Sequence, residues 1–206
     1  LAEAAAGSVS APLLEPPAPL VPPGPPRAHL TGAELAPFAP GTEQGASAAA
    51  IRAALVHLEA GDHEAALLAL DDVAASWPVP DLVAWLTARS LDALHRPAKL
   101  GAVLATIPPD SRFHAEAVLL GTRLALDAEE PDAALALLGE PDPEAGSTDL
   151  RARADVLRAR AWLLRAQDGD LERAVAAAKR AWTVSPRGQA GADAETFLDA
   201  NESGVA

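Results

Sequence analysis

The stretch GDHEAALLALDDVAASWPVPD, Gly61 to Asp81, reads as a tight turn, one amphipathic helix and a stop marked by Pro78 and Pro80. Whether it is one helix of an ordinary core or one copy of a repeated unit decides the fold. Three further segments share its form: ALHRPAKLGAVL, AEEPDAALALL and QDGDLERAVAAA. Their second helices open at His63, Pro97, Pro131 and Leu171. The first two intervals are 34 residues (97 − 63 and 131 − 97), and the third is 40 (171 − 131). The excess of six is assigned to the loop GEPDPEAGSTD, residues 139–149. A fixed period in the thirties with two helices per unit marks a helical solenoid, in which each unit buries its apolar face against the next.

The 3.6-residue apolar periodicity predicts helices at 47–60, 63–76, 81–94, 97–106, 112–127, 131–138, 149–167, 171–184 and 189–200. Asp62, Asp81, Asp110 or Ser111, Asp149 and Asp170 stand where a side-chain oxygen would accept the free N–H groups of a first turn. No segment alternates β-branched and polar residues as a strand requires. The expected class is all-α.

Composition narrows the chemistry. A formal charge of −13 opposes nucleic acid and anionic membrane surfaces, which are bound through an excess of Lys and Arg. No apolar run is long enough for a transmembrane span. Without a single Cys there are no disulfides, thiol nucleophiles or thiolate metal sites. With no Met, Leu1 is not expected to be a translated start. The low-complexity beginning LAEAAAGSVSAPLLEPPAPL suits the end left by removal of an export signal, which implies a periplasmic or extracellular protein. A trimmed cytoplasmic chain is the alternative.

Ten of the 19 prolines fall in the first 40 residues. Proline fixes φ and donates no N–H, so residues 1–45 are expected to form an extended, polyproline-like arm or linker. The arm carries apolar residues such as Leu13, Leu14, Leu20 and Val21. These would let it dock on its own domain or on a neighbouring copy, with self-assembly as the consequence. The helical domain then spans 46–200, and 201–206 is a tail.

The units resemble the tetratricopeptide repeat, a 34-residue pair of antiparallel helices. The first carries Gly61-Asp62 at the turn, then Ala66, Leu70 and a closing Pro78; the fourth carries Gly169-Asp170, Ala174, Ala178, Ala181 and Pro186. The resemblance covers about residues 47–186 and implies a right-handed α-α superhelix. It departs where the second and third units lose the turn glycine. It departs again where a small mid-helix residue is expected: Ala54, Ala88 and Thr122 are followed by Trp162. More weakly, LTGAELAPFAPG and RAWTVSPRGQAGADAE are similar to the helical N-terminal region of bacterial soluble lytic transglycosylases. That resemblance would make the chain an accessory region without its catalytic domain, and Glu202-Ser203 near the end is read as a coincidence with that family's catalytic Glu.

Catalytic constellations are lacking. HEAAL at His63 begins like a zinc-protease helix, but Leu67 stands where the second His ligand is needed. The neighbouring carboxylates Asp71-Asp72 and Glu129-Glu130 point in different helical directions. The chain is therefore expected to be no enzyme and to use no cofactor or metal. In tetratricopeptide proteins the first helix of each pair lines a concave groove. The resemblance places Ile51 and Leu55 there, then Trp85, Arg89 and Asp92, then Glu116, Leu119, Arg123 and Asp127, then Ala159 and Leu163. The expected partner is a protein or peptide. Arg89 and Arg123, one period apart, would hold its carboxylates, with Trp85 as a flat anchor. Arg151, Arg158 and Arg165, at heptad spacing, are expected on a solvated outer face, or as a docking strip for an acidic segment.

Overall fold

The computed structural model describes Ala39 and residues 41–140 and 146–201. Among the described residues there are nine α-helices and no strand. They run α1 (Glu43–Glu59), α2 (His63–Asp71), α3 (Pro80–Ala93), α4 (Pro97–Leu104), α5 (His114–Asp127), α6 (Pro131–Leu138), α7 (Thr148–Arg165), α8 (Asp170–Val184) and α9 (Gln189–Asn201). All nine sequence-predicted helices are present. The expected arm, up to residue 38, and Glu202-Ser203 lie outside the described residues. Helix α1 begins at Glu43 and so takes the last three residues of the 1–45 segment.

The helix starts have local causes. Thr42 accepts the Gly45 N–H at 2.9 Å, Asp62 that of Ala65 at 3.1 Å and Ser147 that of Leu150 at 3.2 Å. Pro80, Pro97 and Pro131 open α3, α4 and α6, where a missing N–H costs nothing. Only Asp62 of the expected caps takes that role. Asp81 and Asp149 sit one residue inside their helices, and Asp170 is the first residue of α8. Ser111 bonds the Phe113 N–H upstream of α5.

The turns inside the first three pairs are the same turn. Gly61, His95 and Glu129 all have positive φ, at 75°, 51° and 58°. The N–H of the next residue, Asp62, Arg96 or Glu130, donates across the turn to the carbonyl of His57, Leu91 or Ala125 at 2.8–2.9 Å. The N–H groups of Gly61, His95 and Glu129 themselves donate to Leu58, Asp92 and Leu126. This double bond pattern is the Schellman motif, which closes a helix with one left-handed residue. The missing glycines of the second and third units change the residue and leave the geometry intact.

The source of the irregular fourth interval differs from the expectation. Helices α3, α5 and α7 start 34 residues apart (114 − 80 and 148 − 114). The segments between pairs, 105–113 and 139–147, are equal in length, so the 139–149 loop is not the insertion. Four of the six extra residues lie within α7, which has 18 residues against 14 in α3 and α5; one more is in the turn 166–169, and the sixth arises because α8 starts at Asp170 and not at Leu171. The residue equivalent to Ala88 and Thr122 is therefore Val156, buried as they are, and not Trp162. The Trp162 ring instead lies under the guanidinium groups of Arg165 and Arg173, at 4.3 and 5.0 Å.

Each helix packs on the next in the chain, and α1–α3, α5–α7 and α7–α9 also meet. Ala54, Ala66, Ala88, Ala134 and Ala174 have no exposed surface, so backbones approach closely at each of these contacts. Leu70, Leu86, Leu91 and Leu100 fill the space around them, each adding about 1.5–3 kcal/mol by burial. The most extensive packing joins α7, α8 and α9 around Ala152, Val156, Ala159, Ala177 and Ala178. No helix among the described residues is long and apolar enough to cross a membrane.

Candidate functional site

Five of the six residues read from the sequence as a groove line one cleft of about 380 Å³: Trp85, Arg89, Asp92, Glu116 and Arg123. Its wall is built from helices not consecutive in the chain. Helix α3 supplies Trp85, Arg89 and Asp92; α5 supplies Glu116, Leu119, Leu120 and Arg123; α7 adds Arg153, Leu157 and Arg160, and α9 Asp193. Asp127, the last residue of α5, lies outside the cleft.

The α7 contribution was misread from the sequence because the 40-residue offset was carried into the first helix. Ala159 is buried in the core, and Leu163 is exposed away from the cleft. A 34-residue offset finds the right residues, with Trp85 leading to Leu119 and Arg153, and Arg89 to Arg123 and Leu157. In the first unit Ile51 is a core residue and Leu55 is exposed, and neither reaches this cleft.

The cleft is electrostatically prepared. Arg123 pairs with Asp92 of the preceding pair, and Arg153 with Glu116 at 3.0 Å. Both pairs are partly exposed and so contribute only about 0–1 kcal/mol each. They fix side-chain positions more than they stabilise the fold. The two arginines expected to act together thus differ. Arg123 is engaged, while Arg89 and Arg160 have no ion pair among the described residues. Four guanidinium groups face three carboxylates here, a local excess of positive charge in a chain of net −13. Trp85 is half-buried and stacks on Phe113, centroids 6.2 Å apart and planes 16° from parallel. The Arg112 guanidinium covers that Phe113 ring at 4.6 Å. Stacking holds Trp85 in one orientation, as a preorganised anchor needs.

Outside the cleft, the expected arginine stripe is not a solvated face. The Arg158 side chain is buried against Asp155 at 2.7 Å, and Arg165 forks onto Asp170 with both contacts at 2.9 Å. Arg165's hydrogen bonds hold the Asp170 carboxyl at about 2, well below the usual carboxylate range, against burial, which pushes the other way. The Gln167 N–H, 3.0 Å from the same carboxylate, adds to the lowering. The Arg165 guanidinium is correspondingly raised above its ordinary value, chiefly by its bond to Asp170.

Among the described residues no three His, Cys, Asp or Glu side chains gather as a metal site requires. No protein-family profile matches the chain, and neither does any curated protein or solved structure.

Proposed function

We propose that the chain is a non-enzymatic, tetratricopeptide-like scaffold whose helix pairs continue as a right-handed superhelix. It holds a carboxylate-bearing segment of a partner protein in the cleft between α3, α5, α7 and α9. The observation that carries this reading is the convergence of residues one period apart, from separate helices, on one cleft with excess positive charge. Arg89 and Arg160 supply donors that no side chain among the described residues occupies, and a guanidinium fork matches a carboxylate bidentately. Leu119, Leu120 and Leu157 give the same ligand an apolar floor, and Trp85 a flat surface beside it.

The test is fluorescence anisotropy of the full chain against a panel of short, extended acidic peptides with free C-termini. Arg89→Ala should weaken the best ligand about tenfold or more, as expected for loss of a charge-assisted hydrogen bond. Asp127→Ala, outside the cleft, should leave affinity unchanged. Absence of binding across the panel, or equal loss in both variants, would remove the reading.

A further inference from the structure

A second cleft, of about 800 Å³, opens between α5, α6, α7 and α8, and its walls differ in kind. Val118 of α5 and Leu137 and Leu138 of α6 give it an apolar side. The cations all come from the other two helices: Arg151 and Arg158 from α7, Lys179 and Arg180 from α8. Among the described residues two carboxylates, Asp155 and Glu140, accompany them. None of these polar residues lines the cleft described above.

Two features of this wall have no use within the fold. A single buried carboxylate, Asp155, serves two guanidiniums, Arg158 at 2.7 Å and Arg180 at 2.9 Å. The trio carries one net positive charge, with Arg158 and Asp155 buried and Arg180 exposed to solvent. Arg158 is further tied to the carbonyls of Leu138 and Gly139, at 3.4 and 3.2 Å, and so closes the C-terminus of α6. The second feature is the Nε of Arg151, which is buried and has no hydrogen-bond partner among the described residues. Buried donors are almost always paired, so an orphan at the wall of a large apolar cleft points to an acceptor supplied from outside.

We propose that this cleft docks an acidic amphipathic helix of a partner protein. Its leucine-like face would lie on α5 and α6, and its carboxylates would reach Arg151 and Arg180. The spread of the cations favours this occupant over a fatty acid, whose one charge sits at one end. An apolar groove with one charged wall is the complement of a two-faced helix, and the charges set partner choice.

The experiment uses the full chain and a labelled peptide of about four helical turns, with Leu on one face and Glu two turns apart on the other. Anisotropy should show saturable binding that weakens with added salt. Replacing the peptide's Glu by Gln should weaken it at least tenfold, and replacing it by Lys should abolish it. Arg151→Gln should weaken binding several-fold, with helical content by circular dichroism unchanged. Asp127→Ala, outside both clefts, should have no effect, and loss of binding on Arg89→Ala in place of Arg151→Gln would assign the peptide to the first cleft. Arg158 is left intact because it closes α6. Equal binding of the Glu and Gln peptides, no binding at all, or indifference to Arg151→Gln would overturn the proposal. Competitive displacement of the peptide by dodecanoate would reassign the cleft to a small amphiphile. Self-association by light scattering that Arg151→Gln abolishes would reassign it to a second copy of the chain.

Discussion

His95 and Glu129 hold left-handed backbone conformations that Gly61 adopts at the equivalent turn. For a residue with a Cβ that conformation costs about 1–2 kcal/mol, while glycine in the unfolded chain carries an entropy penalty of about 0.5–1 kcal/mol. The balance favours glycine at both sites, where the side chains are exposed. The double variant His95→Gly, Glu129→Gly should therefore melt about 2–4 °C higher by calorimetry; a lower melting temperature would mean these side chains hold the turns in another way. Asp170 sets the acid limit. Its folded pKa lies at about 2, below the unfolded value of about 3.9. Its contribution is full above about pH 4 and is lost as pH falls through about 2. Asp170→Asn should lower the melting temperature by several degrees at pH 7 and flatten the acid side of the stability curve between pH 4 and 2. An unchanged slope there would contradict the pairing with Arg165.

Helix α7 shows what a helix gains from its neighbours. Taken alone, its heptad arginines define an outward stripe, yet the carboxylates that claim Arg158 and Arg165 lie on α7 itself and at the start of α8. Asp155 is three residues before Arg158, and Asp170 is five after Arg165 across the turn. The sequence contained both partners, but nothing in the spacing says that the turn at Ala166 to Gly169 folds Asp170 back onto α7. The same helix absorbs most of the extra residues that the interval count had assigned to a loop, because helix ends depend on caps and not on period. Close packing gives the next prediction. Ala174 has no exposed surface where α8 meets its neighbours. Ala174→Leu should destabilise by about 1–3 kcal/mol through overpacking, read as a lower denaturant midpoint. Ala176→Leu, at an exposed position of the same helix, should be nearly neutral, and equal effects of the two would show that burial is not the cause.

On the scale of the described residues, the extensive contacts are between helices one or two places apart in the chain. Stability in such an arrangement is distributed along the chain and follows local packing. The richest packing joins α7, α8 and α9, while α1, the first described helix, packs chiefly on α2 and α3. Native-state hydrogen exchange should find α7 and α8 the slowest-exchanging helices and α1 and α2 opening first; uniform protection would mean one cooperative unit. By itself the sequence determined the helices, their order and most of the first cleft, because apolar period, proline and capping act over a few residues. Trp85, Arg89, Asp92, Glu116 and Arg123, which the tetratricopeptide resemblance placed on one face, line that cleft together. Only the tertiary structure decided that Arg123 is engaged by Asp92, that Asp127 stands apart, that α7 carries most of the extra residues, and that a second cleft opens beside it. Those outcomes depend on which faces of distant helices meet, a property of packing in three dimensions that local spacing does not encode.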